Sequence, residues 1–292
     1  MRDTRKEVDK MKNTMKKPVA IPVEKLRPFA GHPFKVKDDD EMNTLIESIQ
    51  TQGVLSPLIV RPIENTEEYE VISGHRRLHA AQKAGISEVP ALIYALDRDA
   101  AAIAVVDSNL HREHILPSEK AFAYKLKMEA LSHQGKRTDL TSDQIGPKLT
   151  AATISESDSA TQVKRYIRLT YLIPEFLEKM DKNEIALSVG VELSFLDEQS
   201  QYDVLEQCEM NDCTPSYSQA WRMHKADREG TLTTAAIQTI MSEEKANQKA
   251  RLKIPMERIR KYFPQGYTAA QIEDAVVKLC ERDYRRRTDR AR

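Results

Sequence analysis

Tyr69-Glu70-Val71-Ile72-Ser73-Gly74-His75-Arg76-Arg77-Leu78-His79-Ala80-Ala81 is the stretch whose reading decides the fold. Tyr69 to Ile72 carries the aromatic and β-branched residues of a strand. Ser73-Gly74 breaks it, and a helix is expected from His75 to Ala84, closed by Gly85. A strand that ends in a small residue and a glycine before a helix presents free backbone N–H groups, where an anion is stabilised. Gly74 lets a phosphate approach the backbone closely. Arg76 and Arg77 put cations in the first turn, against the helix dipole unless an anion sits between them. The competing reading is a solvated basic helix start with Arg77 paired to an acid.

Outward from this junction, Pro18 to Val23 reads as a short edge strand because of its prolines. Asp38 to Gln52 reads as a helix. Met42, Leu45, Ile46 and Ile49 fall at i, i+3, i+4 and i+7, aspartates crowd its start and Gly53 ends it. Pro57 to Arg61 and Val89 to Tyr94 supply further strands. Helices are expected from Arg98 to Asn109 and from Ser118 to Gln134, with Ser118 as N-cap. Beyond Gly135, Leu140 to Arg228 reads as short helices without a strand, followed by helices at Leu232 to Glu243 and Thr268 to Tyr284. The expected fold is an α+β N-terminal domain followed by an all-α domain and a small helical C-terminal region. The expected boundaries are a flexible basic N-terminus at 1–17, the α+β domain at 18–116, the helical domain at 117–230, and a C-terminal region with a basic tail at 231–292.

Composition narrows the class. Charged residues make up 31% of the 292, and Lys+Arg and Asp+Glu both number 45, so formal net charge is zero. That weighs against a simple DNA-coating protein, which is usually basic overall. Charge is unevenly spread: Met1 to Lys17 and Arg282 to Arg292 are basic, and Asp38 to Glu41 is acidic. The three cysteines, Cys208, Cys213 and Cys280, have no framework or zinc spacing. They suit a reducing compartment. No apolar h-region follows the basic start and no apolar run is long enough for a bilayer, so a cytoplasmic location without membrane contact is expected.

Two further constellations carry chemistry. Val106-Asp107-Ser108-Asn109-Leu110-His111-Arg112-Glu113-His114 ends one helix. Asn109, Arg112 and Glu113 offer amide, guanidinium and carboxylate groups within one turn, a set that suits a triphosphate or metal-linked waters. The plainer reading is a polar helix end. Ser159 to Pro174 contains no acid, with Glu156 and Asp158 just before it. Val163, Ile167 and Thr170 or Tyr171 form an apolar seam, leaving Thr161, Gln162, Lys164, Arg165 and Arg168 mainly on the other faces. Such a face suits the major groove, and Asp158 or Ser159 caps the helix. Gln144 to Leu149 and Ala151 to Glu156 are the expected supporting helices, although no glycine occupies the turn.

Together these motifs resemble the ParB/RepB family of partition proteins. There a strand leads into Gly-Glu-Arg-Arg, and a later helix carries Glu-Asn-Leu-x-Arg-Glu before a proline. Gly74, Arg76 and Arg77 match the first pattern; Asn109, Leu110, Arg112 and Glu113 match the second. Ser48 to Arg61 resembles the family's helix–glycine–strand lead-in. Arg165-Tyr166-Ile167-Arg168-Leu169 and the run from Leu172 to Leu177 resemble its helix-turn-helix, especially in relatives from Gram-positive plasmids and integrative elements.

The resemblance implies CTP with Mg²⁺ held by Ser73, Gly74, His75, Arg76, Arg77, Asn109, Arg112 and Glu113, with Glu113 toward the metal. It implies double-stranded DNA contacted by Ser159, Thr161, Gln162, Lys164, Arg165 and Arg168. It also implies a homodimer, nucleoid association and a ParA-type ATPase partner. His75 and Ser108 stand where the family has glutamates, which weakens metal binding and any CTP hydrolysis. The junction is also similar to that of sulfiredoxin, whose Gly-Cys-His-Arg cysteine has no counterpart here, since all cysteines lie beyond residue 200. A nucleotide-dependent phosphotransferase or nuclease on this fold, and a plain transcriptional repressor, are the competing readings.

Overall fold

The computed structural model describes residues 17–112, 114–137, 154–155, 157–243, 259–264 and 266–290. Among them, five strands form one mixed sheet: β1 (Val19–Pro22), β2 (Leu26–Pro28), β3 (Leu58–Pro62), β4 (Tyr69–Ser73) and β5 (Glu88–Ile93), in the order β1-β5-β3-β4-β2. β1 pairs antiparallel with β5 and β3 with β4, whereas β3–β5 and β4–β2 are parallel. Both edge strands end in a proline, Pro22 and Pro28, which an edge strand tolerates better than a central one.

Strand periodicity splits the core in two. Leu58, Val60 and Val71 join Met42, Ile49, Leu78 and Ala81, which come from α1 (Asp40–Gln52) and α2 (His75–Lys83). Ile72 and Ile59 join Ala101, Val105 and Ala130 from α3 (Arg98–Asn109) and α4 (Pro117–Arg137). The sheet is thus covered by helices on both faces. Arg61 and Glu70 are register partners on adjacent strands; Arg61 Nη2 lies 2.6 Å from the buried carboxylate, whose other oxygen accepts from Ala30 N at 2.9 Å.

After α4 come α5 (Ala160–Arg168), a 3-10 turn (Leu169–Tyr171), α6 (Pro174–Asp181), α7 (Leu187–Leu193), α8 (Glu198–Met210), α9 (Tyr217–Arg228) and α10 (Thr234–Ser242). Phe176, Met180, Leu193, Val204, Met223 and Ile237 form one core across these helices. α10 therefore packs with the helical bundle, on the near side of the division that separates 1–243 from 244–292. In the second unit, α11 (Ala269–Arg290) is opened by a reciprocal cap between Thr268 and Gln271. Ile272 is buried there, while Leu279 and Cys280 are exposed in the single chain. Among the described residues no helix is long and apolar enough to cross a membrane.

Several local expectations change. Ser118 is not the N-cap of α4; the helix starts at Pro117, and Ser118 donates through its N–H and hydroxyl to Asp181 at 3.0 and 2.6 Å. The basic helix ends at Arg168, because the next three residues tighten into the 3-10 turn that buries Leu169. The Arg-rich tail is helical as far as Arg290. Of the two expected supporting helices, 144–149, 151–153 and 156 fall outside the described residues, and Ile154 and Ser155 are not helical.

Gln201 holds the bundle's irregular segment. It is buried, accepts from Ile173 N at 2.9 Å and donates to the carbonyls of Tyr171 and Leu196 at 3.0 and 3.1 Å. Truncation to alanine strands three backbone groups, so Gln201→Ala is expected to destabilise by about 2–4 kcal/mol. Urea unfolding checks this; a loss well under about 1 kcal/mol would show that water replaces the amide.

Candidate functional sites

β4 ends at Ser73 and Gly74 turns the chain into α2 with φ +107°, a conformation that favours glycine. A Cβ at Gly74 would stand 3.0 Å from Leu58 Cγ and 3.2 Å from Arg77 Nη2. No side chain caps the helix, so its first N–H groups keep their capacity for an anion.

The three residues that follow the turn do different things. Arg77 donates to the carbonyls of Ser56 and Pro57, and burial makes its charged form less favourable. It is a clamp on the lead-in to β3; no acid is paired with it among the described residues. Arg76 is half-exposed and lies 3.2 Å from Glu41 and 3.5 Å from Asp39, the N-cap of α1. His75 lies against His32, with ring centroids 3.7 Å apart and planes tilted by 36°, and accepts from Phe29 N at 3.4 Å. Burial, then the charges of His32 and Arg112, push His75 down to about 3, so it is neutral at physiological pH.

His32 is also lowered, chiefly by burial. Its Nδ1 donates to Phe34 O at 2.8 Å, which leaves Nε2 as a buried acceptor without a partner among the described residues. Arg112 lies 5.7 Å from the centre of the Phe34 ring and feels the charges of Glu119 and Arg76. The structure therefore gathers His75, Arg76 and Arg112 with His32 and Phe34, two residues that the sequence reading passed over.

Other expected ligands are otherwise engaged. Asn109 is buried and donates to Val105 O at 2.7 Å; Ser108 Oγ donates to the same carbonyl at 3.0 Å. Asp107 is paired with Lys127 at 2.5 Å. Ser73 stays in the sheet opposite Ile59. Glu113 lies outside the described residues. The cationic set fits a polyphosphate. It does not by itself fit Mg²⁺: Glu119 spends its two oxygens on Lys35 N and Leu116 N, at 2.8 and 3.2 Å, and no cluster of three ligating side chains occurs among the described residues.

The second site is α5. Ser159 caps it by accepting from Gln162 N, while Asp158, the other expected cap, instead accepts from Tyr124 at 2.6 Å and pairs with Lys120 at 2.6 Å. Burial and Asp158 together push the Tyr124 hydroxyl far up, so it remains a donor. Val163 is fully buried, and Tyr166 and Ile167 pack with it against Tyr124. Thr161 and Lys164 are exposed, Gln162 and Arg165 half-exposed, and neither Lys164 nor Arg165 has a carboxylate partner among the described residues.

Arg168 departs from the expected free face. Its guanidinium lies 4.5 Å from the Tyr171 ring centre and 4.1 Å from that of Phe195, and it donates to Ser194 O at 2.6 Å and Ser194 Oγ at 3.2 Å. The 3-10 turn brings Tyr171 back over the last helical turn and creates this sandwich.

Residues 5–110 match the ParB N-terminal domain family. Among curated relatives, the chromosome-partitioning protein Spo0J of Thermus thermophilus is 35% identical over 57% of this chain and 56% of its own. A nucleoid occlusion protein of Listeria innocua is 30% identical over 65% of this chain and 62% of its own. This chain spans about half the length of the curated relatives it matches. Among solved structures, C-terminally truncated ParB of Caulobacter crescentus complexed with CTP-γ-S is 26% identical, covering 65% of this chain and 97% of that one, with a TM-score of 0.31.

The buried neutral His75 predicts acid lability. Unfolded, it titrates near 6.5; folded, near 3. Below 6.5 the unfolded chain takes up a proton that the folded state refuses. Stability present above that pH is then lost as pH falls toward 3, by at most about 1.4 kcal/mol per pH unit. His75→Gln is expected to shrink the difference between urea midpoints at about pH 7 and about pH 5; an unchanged difference counts against the neutral buried imidazole.

Proposed function

With its N-terminal region belonging to the ParB N-terminal domain family, we propose that this chain is a sequence-specific duplex-DNA-binding protein for partition or maintenance of a chromosome, plasmid or mobile element, gated by CTP. The observation that carries the reading is α5. One face is sewn to α4 through Val163, Tyr166 and the Tyr124–Asp158 bond, and the other offers Thr161, Gln162, Lys164 and Arg165. A helix anchored on one side with an acid-free polar face is built to enter the major groove. Gln162 and Arg165 are suited to bidentate contact with base edges, and Ser159, Thr161 and Lys164 to phosphates. Arg168 supports that helix from its C-terminal end. In solution the active form is a homodimer, so the site it reads is an inverted repeat; a ParA-type ATPase is its expected partner on the nucleoid.

CTP is proposed at the uncapped start of α2, its phosphates meeting the N–H groups after Gly74 together with Arg76 and Arg112. Glu41 and Asp39 hold Arg76 in the absence of an anion, so nucleotide binding has to displace them. Glu113 is the residue that would hold Mg²⁺, which would neutralise charge on the nucleotide's phosphates. The replacement of two family glutamates by His75 and Ser108, both already hydrogen-bonded within the fold, favours gating by binding over turnover.

Genome-wide mapping of bound DNA, repeated with Arg76→Ala, tests both halves. A focal site with spreading around it, lost in the variant, is expected. A focal site unchanged by the variant overturns the gate, and no focal site overturns specific recognition. Once the site is known, Arg165→Ala is expected to weaken specific binding by about 1–3 kcal/mol while leaving non-specific binding nearly intact. Fluorescence anisotropy on specific and scrambled duplexes separates the two.

A further inference from the structure

Trp221 is the chain's single tryptophan, and it sits on the surface of α9 with 46% of its area exposed. His224, Lys225 and Arg228 follow at i+3, i+4 and i+7, so all four share one helix face. They line an open cleft of about 310 Å³ together with Glu229. Lys225 Nζ stands 5.7 Å from the centre of the indole and 3.9 Å from Glu229, an exposed and weak pairing. Arg228 has no carboxylate partner among the described residues. The bundle core gains nothing from this arrangement, since the buried positions of α9 are Gln219, Ala220 and Met223.

The cleft is joined to α5 by a run of stacked groups. Arg168, in the last turn of α5, covers the Phe195 ring at 4.1 Å; Phe195 stacks on His224 at 4.2 Å with ring planes 3° apart; His224 lines the cleft beside Trp221. His224 is fixed by Glu192 at 2.7 Å, which holds the stack in register. Phe195 and Tyr171 keep 42% and 60% of their surface exposed, and Lys125 adds a second cation over Tyr171 at 5.9 Å. Cations and exposed rings thus continue from the acid-free face of α5 to the end of α9.

We infer that the Trp221–Lys225–Arg228 face is a second DNA contact, seating the sugar-phosphate backbone beside the base pairs read by α5. The inference rests on the DNA reading proposed above. Its occupant is duplex backbone: the cleft is open and continuous with α5, its two outward cations suit phosphates, and a flat indole can lie against sugar. Such contacts carry no sequence information, and they fix orientation and register.

The lone tryptophan makes the test direct. Full-length protein is titrated with a duplex containing its mapped site while anisotropy of the labelled DNA and indole fluorescence are read together. Acrylamide, a neutral quencher, should lose access to Trp221 as DNA saturates. In a second arm, Lys225→Ala/Arg228→Ala is compared with wild type over a salt series. The slope of log affinity against log salt should become shallower by about two, with the ratio of specific to non-specific affinity unchanged. Circular dichroism confirms that the variant folds, and the wild-type quenching arm stands without it. DNA bound with Trp221 still fully quenchable, or an unchanged salt slope in the folded variant, overturns the second contact while leaving α5 as the reader. No DNA binding in the anisotropy channel overturns the underlying DNA reading instead.

Discussion

Helix α4 contributes buried residues to four hydrophobic clusters, and Tyr124 near its middle has no exposed surface. Ala123 meets Val106 and Phe34 beside the basic turn, Ala130 meets Ile72 and Ala101 beneath the sheet, Ala121 enters the helical core, and Tyr124 meets Val163 of α5. Alanine loses no rotamer freedom on burial and lets neighbours approach closely. The buried polar groups of this helix are paired: the Tyr124 hydroxyl donates to Asp158, and Glu119 accepts from Lys35 N and Leu116 N. Both candidate sites lean on this helix. The basic turn touches it through Phe34 and Glu119, and α5 touches it through Tyr124 and Lys120.

The chain is neutral overall, yet its cations are sorted by what they meet. Arg61 is neutralised by buried Glu70, Arg77 is absorbed by two carbonyls, and Arg168 lies between two rings. On α2 the acidic run answers the basic one, with Asp38 pairing with His79 and Lys83 at 2.8 and 2.7 Å. Lys83 and His79 hold that carboxyl below its usual range. At the two candidate sites, what remains available among the described residues is Arg112 and the loosely held Arg76 in one place and Lys164 and Arg165 in the other. Zero net charge is therefore compatible with anion-binding faces, because long-range attraction depends on local fields, not on the sum.

Much of the fold was legible. The helices at 98–109 and 40–52 follow from apolar spacing and aspartate caps, and the strands at 58–62 and 69–73 from β-branched runs between turn residues. β2 was not legible: three residues ending in proline carry no periodicity, and they become a strand only by pairing with β4 over forty positions away. The joining of α10 to the bundle was equally hidden, since its apolar face is the same whichever neighbour buries it. At the site, Gly74, Arg76 and Arg112 could be read from motif spacing. His32, Phe34, Asp39 and Glu41 could not, because they reach the turn only through the tertiary fold, although the isolated His-Pro-Phe was a signal to follow.

By itself the sequence determined most of the strands and helices, where a helix would begin without a side-chain cap, and where a cationic face without acids would lie. Those are properties of neighbours a few residues apart, governed by side-chain period, glycine freedom and local charge. Only the tertiary structure decided which cations stay available. Arg77, Arg76 and Arg168 look alike as letters, and their fates diverge because carbonyls at Ser56 and Pro57, carboxylates at Asp39 and Glu41, and rings at Tyr171 and Phe195 reach them through folding. For a cation the partner sets its reach, and all but the nearest of those partners are assigned by packing at a distance along the chain.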